Sequence, residues 1–330
     1  MRYKLALWII AGVAVLLGGV FIYALRPASA HEDVRAVTIQ PGEGIREIVG
    51  TLAQSGVIRS AAAMKLWILL SLNARALKPG SYAIDRALTT PQIVELLKSG
   101  IGSLQTVLIP EGLSLREIEE RLATLHVLAV GELTQVPWEH LRGAYPFLAD
   151  ATTLEGFLFP DTYRFSFYEP PEVVVRAFLD TFAKKAWPSL QVSQDPYRIL
   201  IIASLLEKEV RTKEEQQLVA GIIEKRLREN MPLQIDASVL YARCVEQTGN
   251  GKCGALGKSD FEMDSPFNTY RYKGLPPTPI SNPGEQSIEA AKNPKASSYW
   301  FYLTNPATGH AIFANTLEEQ AKNRARYLGL

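Results

Sequence analysis

The sequence contains few of the residues that carry metal, redox or nucleotide chemistry. Its 330 residues include two cysteines and four scattered histidines. It has no Gly-rich phosphate loop, no HExxH motif and no GxSxG motif. These absences argue against a structural zinc site, a haem, a bound nucleotide, a metalloprotease and a serine hydrolase. We therefore expect neither a cofactor nor a metal ion.

The chain also lacks an excess of charge of either sign. It has 35 Lys and Arg against 34 Asp and Glu, and residues 1–30 hold Arg2, Lys4 and Arg26 but no acidic residue. The remaining chain is close to neutral, whereas nucleic-acid binding needs a basic surface, so we expect no nucleic-acid partner. With 47% hydrophobic residues, the chain is long enough for two domains with a sizeable core.

The longest uncharged run covers residues 5–25. As a helix it would measure about 31 Å, at roughly 1.5 Å per residue, which is enough to cross a bilayer. Basic residues precede the run and the acidic pair Glu32 and Asp33 follows it, so the positive-inside rule predicts a cytoplasmic tail over residues 1–4. A cleaved signal peptide is the alternative, because residues 28–30 resemble a cleavage site, but signal cores usually span only about 7 to 15 residues.

Two similar strand-and-helix units follow this run. Residues 36–58 and 106–128 each show an alternating strand, a turn and an amphipathic helix. Together with the helical patterns further on, they predict an α+β fold. The predicted parts, in order, are a tail (1–4), a transmembrane helix (5–25), a membrane-proximal module (36–105), a second strand-helix unit with a connector (106–195) and a third domain (196–330).

The segment 197–210 is apolar on every face until its last turn, which predicts a buried core helix. It ends in Glu207 and Glu209, which point about 200° apart on a helix, so only one of them can face a given cleft. Glu207 shares a face with the small residues Ala203 and Ser204, which we expect to leave space for a substrate. Near a helix C-terminus, among apolar neighbours, a carboxyl has its charged form disfavoured, as suits a general acid.

A second interpretation of the two glutamates stays open. Glu207 with Arg211, and Glu209 with Lys213, have the i,i+4 spacing of ion pairs that would only solvate the helix end.

Further polar candidates lie downstream. Gln234 and Asp236 alternate with apolar residues and would face one side together in an extended segment, or Asp236 caps the next helix. Residues 268–270 precede a Pro-rich loop over 274–284 that either walls a groove or is a spacer.

Cys244 and Cys253 enclose a short polar stretch. In an oxidising compartment this spacing predicts a small-loop disulfide, and two free thiols are the alternative.

Five ordered motifs resemble those of the YceG-like family of endolytic murein transglycosylases. They are LEGFLFPDTY, ASLLEKEV, LQIDASVLYA, SPFNTY and GLPPTPISNPG. The resemblance implies a LysM-like module over residues 36–105 and a catalytic domain with a buried catalytic helix that cuts new peptidoglycan strands internally. It also implies that Glu207 is the catalytic glutamate. The residues that it implies for substrate binding are Gln234, Asp236, Asn268, Thr269 and Tyr270.

The implied reaction is non-hydrolytic cleavage of the β-1,4 bond between N-acetylmuramic acid and N-acetylglucosamine, with a 1,6-anhydro end that terminates chain elongation. One glutamate protonates the leaving oxygen and then takes the proton of the sugar's C6 hydroxyl. The resemblance further implies a bacterial inner-membrane protein with its catalytic domain in the periplasm and a peptidoglycan synthase as partner. Gln320 departs from the histidine expected in the last helix.

Two other functions stay open at this point. One is a non-catalytic scaffold that binds the wall. The other is a hydrolytic muramidase, which needs a second carboxylate, with Asp236 as the nearest candidate in the sequence.

Overall fold

The computed structural model describes residues 2–40, 42–71, 77–99, 104–167, 169–247 and 254–329, without the side chains of residues 2–7, 9, 10 and 245–247. The chain forms two compact units. The first contains Met1–Thr106, Leu125–Val127 and Arg164–Glu169, and the second contains Val107–Thr124, Leu128–Tyr163 and Pro170–Leu330. The predicted domain boundaries at 105/106 and 195/196 stay a prediction.

The first helix, α1, is Arg2–Ala24. In the described part of the chain, no helix is long and apolar enough to cross a membrane. The transmembrane helix predicted over residues 5–25 therefore has no support from the structure.

The first unit is built on one antiparallel strand pair. Strand β1 (Val34–Ile39) pairs with β2 (Gly80–Asp85), and Val37 lies opposite Tyr82. Three helices cover this pair: α2 (Ile45–Gln54), α3 (Ala61–Leu70) and α4 (Thr90–Ser99). The apolar positions of α2 fall on one helical face, as the sequence predicts, and that face is buried in the core of the unit.

The next elements repeat the strand-and-helix pattern. Strand β3 (Gln105–Leu108) is followed by α5 (Leu115–Thr124), and β3 pairs with the later strand β4 (Thr162–Phe165). Ser114 and Glu117 have the S-x-x-E spacing of a capping box, and the structure contains it: the Ser114 N–H donates to Glu117 Oε2 at 2.8 Å, and the Glu117 N–H donates to Ser114 Oγ at 3.3 Å.

An aromatic cluster forms part of the core of the second unit. The Phe147 and Phe182 rings lie 4.7 Å apart, and the Phe157 ring lies 5.3 Å from Phe182. Phe182 belongs to α6 (Pro171–Lys185), which is followed by the short α7 (Trp187–Leu190). This cluster supports the next helix through Tyr197, whose ring stacks 6.2 Å from Phe157.

The centre of the second unit is α8 (Pro196–Glu209), against which α9 (Lys213–Arg228), α10 (Asp236–Tyr241) and α11 (Glu285–Lys292) pack. The prediction of a buried helix is confirmed, since Leu200 and every residue from there to Leu206 is buried. Thr212 caps α9, with the Glu215 N–H donating to Thr212 Oγ1 at 3.3 Å.

The C-terminal elements are a hairpin and a helix. Strand β5 (Phe301–Thr304) pairs antiparallel with β6 (Ala311–Ala314). Helix α12 (Leu317–Leu328) begins after Thr316, whose side chain accepts the Glu319 N–H. The predicted α+β class is thus confirmed for the described chain.

Candidate active site

Between Leu200 and Leu206 every residue of helix α8 is buried, and the charged residues Glu207, Lys208 and Glu209 follow in its last turn. The Asp195 side chain caps the helix by accepting the Arg198 N–H at 3.0 Å, and Pro196 occupies the first turn, where its missing N–H costs nothing. Val210 is extended, with a φ of −145°, and ends the helix. Glu207 is therefore held at the end of a helix whose preceding seven residues are locked in the core.

The Glu207 carboxyl binds the N-terminus of α11. Its Oε2 accepts the backbone N–H of Gly284 at 3.0 Å and the hydroxyl of Ser287 at 2.6 Å. Gly284 is the N-cap of α11, so this oxygen lies at the positive end of the helix dipole, which favours negative charge. The expectation that the surroundings of Glu207 disfavour its charged form is therefore wrong for this oxygen. The structure describes neither of the ion pairs considered for the helix end. No contact between Glu207 and Arg211, or between Glu209 and Lys213, is found among the described residues.

A hydrogen-bond chain fixes the direction of the Ser287 proton. Gln216 Nε2 donates to Ser287 Oγ at 2.7 Å, so the Ser287 hydroxyl donates onward to Glu207. Because Oε2 already accepts two hydrogen bonds, a proton on Glu207 belongs on Oε1, which accepts no hydrogen bond from the described residues. Ser287 is fully buried and Glu207 is partly exposed. The carboxyl is thus held firmly on one side and open on the other.

The loop between β3 and α5 brings a second carboxyl to this place. Gly112 has a φ of +79°, and a Cβ there would lie 3.2 Å from Glu207 Cγ. The Gly112 N–H donates to the Asn282 carbonyl at 2.9 Å, and its carbonyl accepts Lys208 Nζ at 3.0 Å. These bonds fix the neighbouring Glu111 over Gly284.

Glu111 and Glu207 converge on Gly284 from two sides. A Cβ on Gly284 would lie only 1.8 Å from Glu111 Oε1, while the Gly284 N–H binds Glu207. Burial, followed by the negative charges of Glu207 and Glu285, raises the pKa of Glu111 above its ordinary value.

Asn282 and Glu155 form a buried support behind the two carboxyls. Asn282 Nδ2 donates to the Leu113 carbonyl at 2.9 Å and to Glu155 Oε1 at 3.0 Å, and its Oδ1 accepts the Leu158 N–H at 2.8 Å. Glu155 also accepts the Leu115 N–H and the Tyr241 hydroxyl. Burial raises the pKa of Glu155 to about 8, although these hydrogen bonds act against that shift.

The sequence predicts space for a substrate beside the small residues Ala203 and Ser204. This prediction is wrong, because the structure fills that space. Ser204 Oγ accepts the Ile280 N–H at 3.0 Å, and the Ser281 hydroxyl donates to the Ser204 carbonyl at 3.0 Å. The Pro-rich loop therefore lies on this face of α8. Gly156 completes the packing, because a Cβ there would lie 2.6 Å from Pro279 Cγ.

Glu209 faces a different set of residues, as the spacing predicts. Its carboxyl lies against the Tyr302 hydroxyl and near Asp236, and burial raises its pKa to about 7. Tyr302 contacts it from β5, and Thr304 Oγ1 of the same strand donates to the Glu209 carbonyl at 3.0 Å. The two glutamates thus belong to separate environments.

The comparison with known families identifies the chain. The sequence model of the YceG-like family matches residues 37–326. The chain belongs to the YceG-like family. An endolytic murein transglycosylase of Bacillus subtilis is 29% identical over 345 residues, which cover 95% of this chain and 91% of the relative. One of Streptococcus pneumoniae is 28% identical over 352 residues, and the alignment covers 94% of this chain but only 62% of the longer relative.

The fold is similar to that of a solved member of the YceG-like family. The crystal structure of a yceG-like protein of Listeria monocytogenes matches with a TM-score of 0.56 and 30% sequence identity. The match covers 89% of this chain and 100% of the Listeria chain. The two-unit chain described above is thus similar in fold to a crystallised relative.

The YceG-like resemblance assigned five residues to substrate binding, and the structure places them in two groups. Gln234 and Asp236 are exposed, and the partly buried Tyr270 donates its hydroxyl to Asp236 Oδ1 at 2.5 Å. Burial, then this hydrogen bond, raises the pKa of Tyr270. Gln234 is not extended: its φ is +52° and its N–H donates to the Thr269 carbonyl, while Asp236 is the first residue of α10.

Asn268 and Thr269 have internal hydrogen bonds. Asn268 Nδ2 donates to the carbonyls of Phe261 and Met263 at 3.0 and 2.9 Å, and Thr269 Oγ1 accepts the Ile235 N–H at 2.9 Å. Both side chains are buried. They hold the loop that presents Tyr270 and Gln234, and a direct contact with saccharide stays a prediction.

Two further predictions concern positions outside the carboxyl site. Cys244 is buried, but Cys253 lies outside the described residues, so the predicted disulfide is not described. Gln320, which replaces the expected histidine, donates from Nε2 to the Tyr302 carbonyl at 2.9 Å. Within the described ranges, no group of three or more His, Cys, Asp and Glu residues is arranged to hold a metal ion.

The sequence carries no sign that Glu111, Glu155 and Ser287 belong to this site. Glu111 lies in a Pro-Glu-Gly turn, and Glu155 lies in the LEGFLFPDTY motif. Their grouping arises from contacts between distant parts of the chain, for which the local pattern carries no signal.

Proposed function

We propose that this protein is an endolytic lytic transglycosylase that cleaves murein strands between N-acetylmuramic acid and N-acetylglucosamine. Family membership supports the proposal, as do relatives named endolytic murein transglycosylase that match over 94–95% of this chain. The observation that carries it is the geometry of Glu207, with one carboxyl oxygen bound by Gly284 and Ser287 and the other open.

A single carboxyl at this position is sufficient for the non-hydrolytic reaction. Glu207 transfers the proton from Oε1 to the glycosidic oxygen as the C1–O bond breaks. The C6 hydroxyl oxygen of the same muramic acid then bonds to C1, and its proton returns to Oε1. The products are a 1,6-anhydro end and a free 4-hydroxyl, and no water is consumed. Released anhydro ends would terminate elongation of a glycan chain.

Saccharide binding is assigned to the open residues near α10. Gln234, Asp236 and Tyr270 offer amide, carboxylate and phenol groups, which hydrogen-bond to sugar hydroxyls. Asn268 and Thr269 support this surface through the buried hydrogen bonds described above.

A hydrolytic muramidase is the second candidate, and one observation favours it. The contacts of Gly284 bring Glu111 Oε1 to within about 8 Å of Glu207 Oε2, with standard bond lengths. Retaining hydrolases separate their two carboxyls by about 5 to 5.5 Å and inverting ones by about 6.5 to 9.5 Å, and this upper bound admits both. Glu111, rather than Asp236, is therefore the candidate for the second carboxyl of a hydrolase.

Product mass distinguishes these functions. The full chain in detergent is incubated with purified glycan strands, and the products are weighed by mass spectrometry. We expect 1,6-anhydro ends, each one water lighter than a hydrolysed end. Reducing ends would establish the muramidase, and strands that are bound but uncut would establish a non-catalytic scaffold.

Membrane attachment is part of the proposal. The uncharged run over residues 5–25 supports a single-pass anchor in the bacterial inner membrane, with the N-terminus in the cytoplasm and the catalytic domain in the periplasm. Residues 36–105 would form a LysM-like module beside a peptidoglycan synthase. Full-length chain that sediments with membranes and resists extraction by high salt supports the anchor, and chain released by salt contradicts it.

A further inference from the structure

Glu155 is a buried carboxyl for which the one-carboxyl reaction has no direct use. Its side chain is only 1% exposed. Burying a carboxyl costs free energy, and an apolar side chain of similar volume is often at least as stable at such a position. Packing alone therefore gives no reason for a carboxyl at this place. What distinguishes Glu155 is the set of elements that its two oxygens join.

Three elements of the second unit donate hydrogen bonds to this carboxyl. Glu155 Oε1 accepts the N–H of Leu115, the first residue of α5, at 2.9 Å. The same oxygen accepts Asn282 Nδ2 of the Pro-rich loop at 3.0 Å. Glu155 Oε2 accepts the hydroxyl of Tyr241, the last residue of α10, at 3.1 Å. One buried side chain thus connects α5, α10 and the Pro-rich loop.

The bond to the Pro-rich loop leads to Glu207. The Asn282 carbonyl accepts the Gly112 N–H at 2.9 Å, so the loop before α5 and the Pro-rich loop are joined beside Glu155. Two residues after Asn282, the Gly284 N–H donates to Glu207 Oε2 at 3.0 Å. Glu155 therefore restrains the loop that carries a backbone donor of Glu207.

The bond to Tyr241 leads to the proposed saccharide surface. Helix α10 has only six residues, so its two ends lie about 7.5 Å apart, at roughly 1.5 Å per residue. Its first residue, Asp236, accepts the Tyr270 hydroxyl, and both side chains belong to that surface. A bond at the far end of so short a helix restrains the position of Asp236.

We propose that Glu155 is a positioning residue for murein cleavage, which acts on Glu207 through Asn282 and on the saccharide surface through Tyr241. The inference rests on the proposed function and deepens it. The two connections have separate consequences. Loss of the Tyr241 bond leaves the saccharide surface to be ordered by the substrate, which weakens strand binding. Loss of the Asn282 bond displaces the donor of Glu207 and slows the chemical step.

The deciding variant is Tyr241→Phe. It removes one hydroxyl and keeps the ring, which lies 4.9 Å from the Phe267 ring. We expect KM for glycan strands to rise about tenfold, as for a hydrogen bond to a charged group, with little change in kcat. The bonds of Glu155 to Leu115 and Asn282 stay in place, which is why kcat is retained.

The matched control is Tyr145→Phe. Tyr145 is also buried in the second unit, and its hydroxyl donates to Asp180 Oδ1 at 2.7 Å. Both kinetic constants of this variant should stay those of the wild type. If Tyr241→Phe also keeps the wild-type KM, whatever its effect on thermal unfolding, the Tyr241 bond only stabilises the fold and the inference is wrong.

Substitutions of Glu155 test both connections together. Glu155→Ala, where it folds, should raise KM and also lower kcat about tenfold to a hundredfold. Glu155→Gln should recover most of the lost kcat. Its amide oxygen can accept the bonds from Leu115 and Asn282, and its amide nitrogen can donate to the Tyr241 oxygen. A folded Glu155→Ala with wild-type kcat, or no recovery in Glu155→Gln, contradicts the inference.

Strand binding without turnover separates this inference from the proposed function. The dissociation constant of purified glycan strands is measured for Glu207→Gln and for Glu207→Gln with Tyr241→Phe. We expect binding to be about tenfold weaker in the double variant. Equal dissociation constants contradict the link through α10, even if the wild type is an active enzyme. Reducing ends from the wild type would overturn the lytic reaction alone, because both comparisons hold whichever end is formed.

Discussion

Ser287 connects the buried Gln216 to the Glu207 carboxyl. The hydrogen bond from the Ser287 hydroxyl to that carboxyl is shorter than the one from the Gly284 N–H. A hydrogen bond to a charged group contributes about 1.5–3 kcal/mol. We therefore expect Ser287→Ala to lower kcat/KM about tenfold to a hundredfold. Ser55→Ala is the control, since the Ser55 hydroxyl also makes a hydrogen bond but lies in the first unit. Wild-type activity in Ser287→Ala would show that this bond does not orient Glu207.

The buried carboxyls give the protein a pH-dependent stability. The pKa of Glu155 is raised to about 8 and that of Glu209 to about 7, from 4.5. As the pH rises above 4.5, the unfolded chain loses these protons while the folded chain keeps them. The folded state then binds more protons than the unfolded state, so the free energy of unfolding falls between about pH 4.5 and pH 8.

Urea unfolding at pH 5, 6.5 and 8 measures this dependence. We expect the midpoint to fall with pH in the wild type, and to fall less in Glu155→Gln and in Glu209→Gln. A midpoint that rises over this range, or equal slopes in all three proteins, would contradict the assignment.

At the residue scale the sequence singles out Glu207 as the catalytic candidate, which stays a prediction, and it carries no signal for the partners of Glu207. The apolar helix ahead of Glu207 and the family motif both indicate that residue. Gly284 and Ser287, which bind it, lie far along the chain, and only tertiary packing brings them to Glu207. The expected space beside Ser204 is absent because tertiary packing also places the Pro-rich loop over it.

Among the loops, the Pro-rich segment holds the site together through Asn282. Its side chain makes three hydrogen bonds, to Leu113, Glu155 and the Leu158 N–H, and is fully buried. Asn282→Ala removes all three hydrogen bonds and leaves the buried Leu158 N–H without its partner, which by itself costs about 1–3 kcal/mol. We expect the free energy of unfolding to fall by about 3 kcal/mol or more.

Asn293→Ala is the matched control for this change. Asn293 is exposed and its amide binds only the neighbouring Glu289. Its effect on urea unfolding should stay within about 0.5 kcal/mol. Equal effects of the two substitutions would show that the Asn282 hydrogen bonds do not stabilise the loop.

At the element scale, local signals predict the helices and hairpins, and they fail where a long-range bond sets the backbone. The S-x-x-E and T-x-x-E patterns at Ser114 and Thr212 mark helix starts, and in the structure both side chains cap their helices. Gln234 is different: its bond to the Thr269 carbonyl accompanies a left-handed backbone, which the alternating pattern does not predict. Helix α10 then begins at Asp236, where the sequence allowed an extended segment.

For the whole molecule, the α+β class and the family follow from the ordered motifs, and the structure adds the different surroundings of two neighbouring glutamates. The motif ASLLEKEV contains two glutamates, and the structure separates their environments: Glu207 at α11, Glu209 at Tyr302. The central claim is that strand cleavage depends on Glu207.

The most direct test compares Glu207→Gln and Glu209→Gln in the full chain, with folding checked by thermal unfolding. The rate of release of 1,6-anhydro ends is measured by mass spectrometry. We predict that Glu207→Gln lowers this rate by a thousandfold or more, about 4 kcal/mol in transition-state stabilisation. Glu209→Gln should keep most of the activity. Loss of cleavage in Glu209→Gln, with activity retained in Glu207→Gln, would contradict the account.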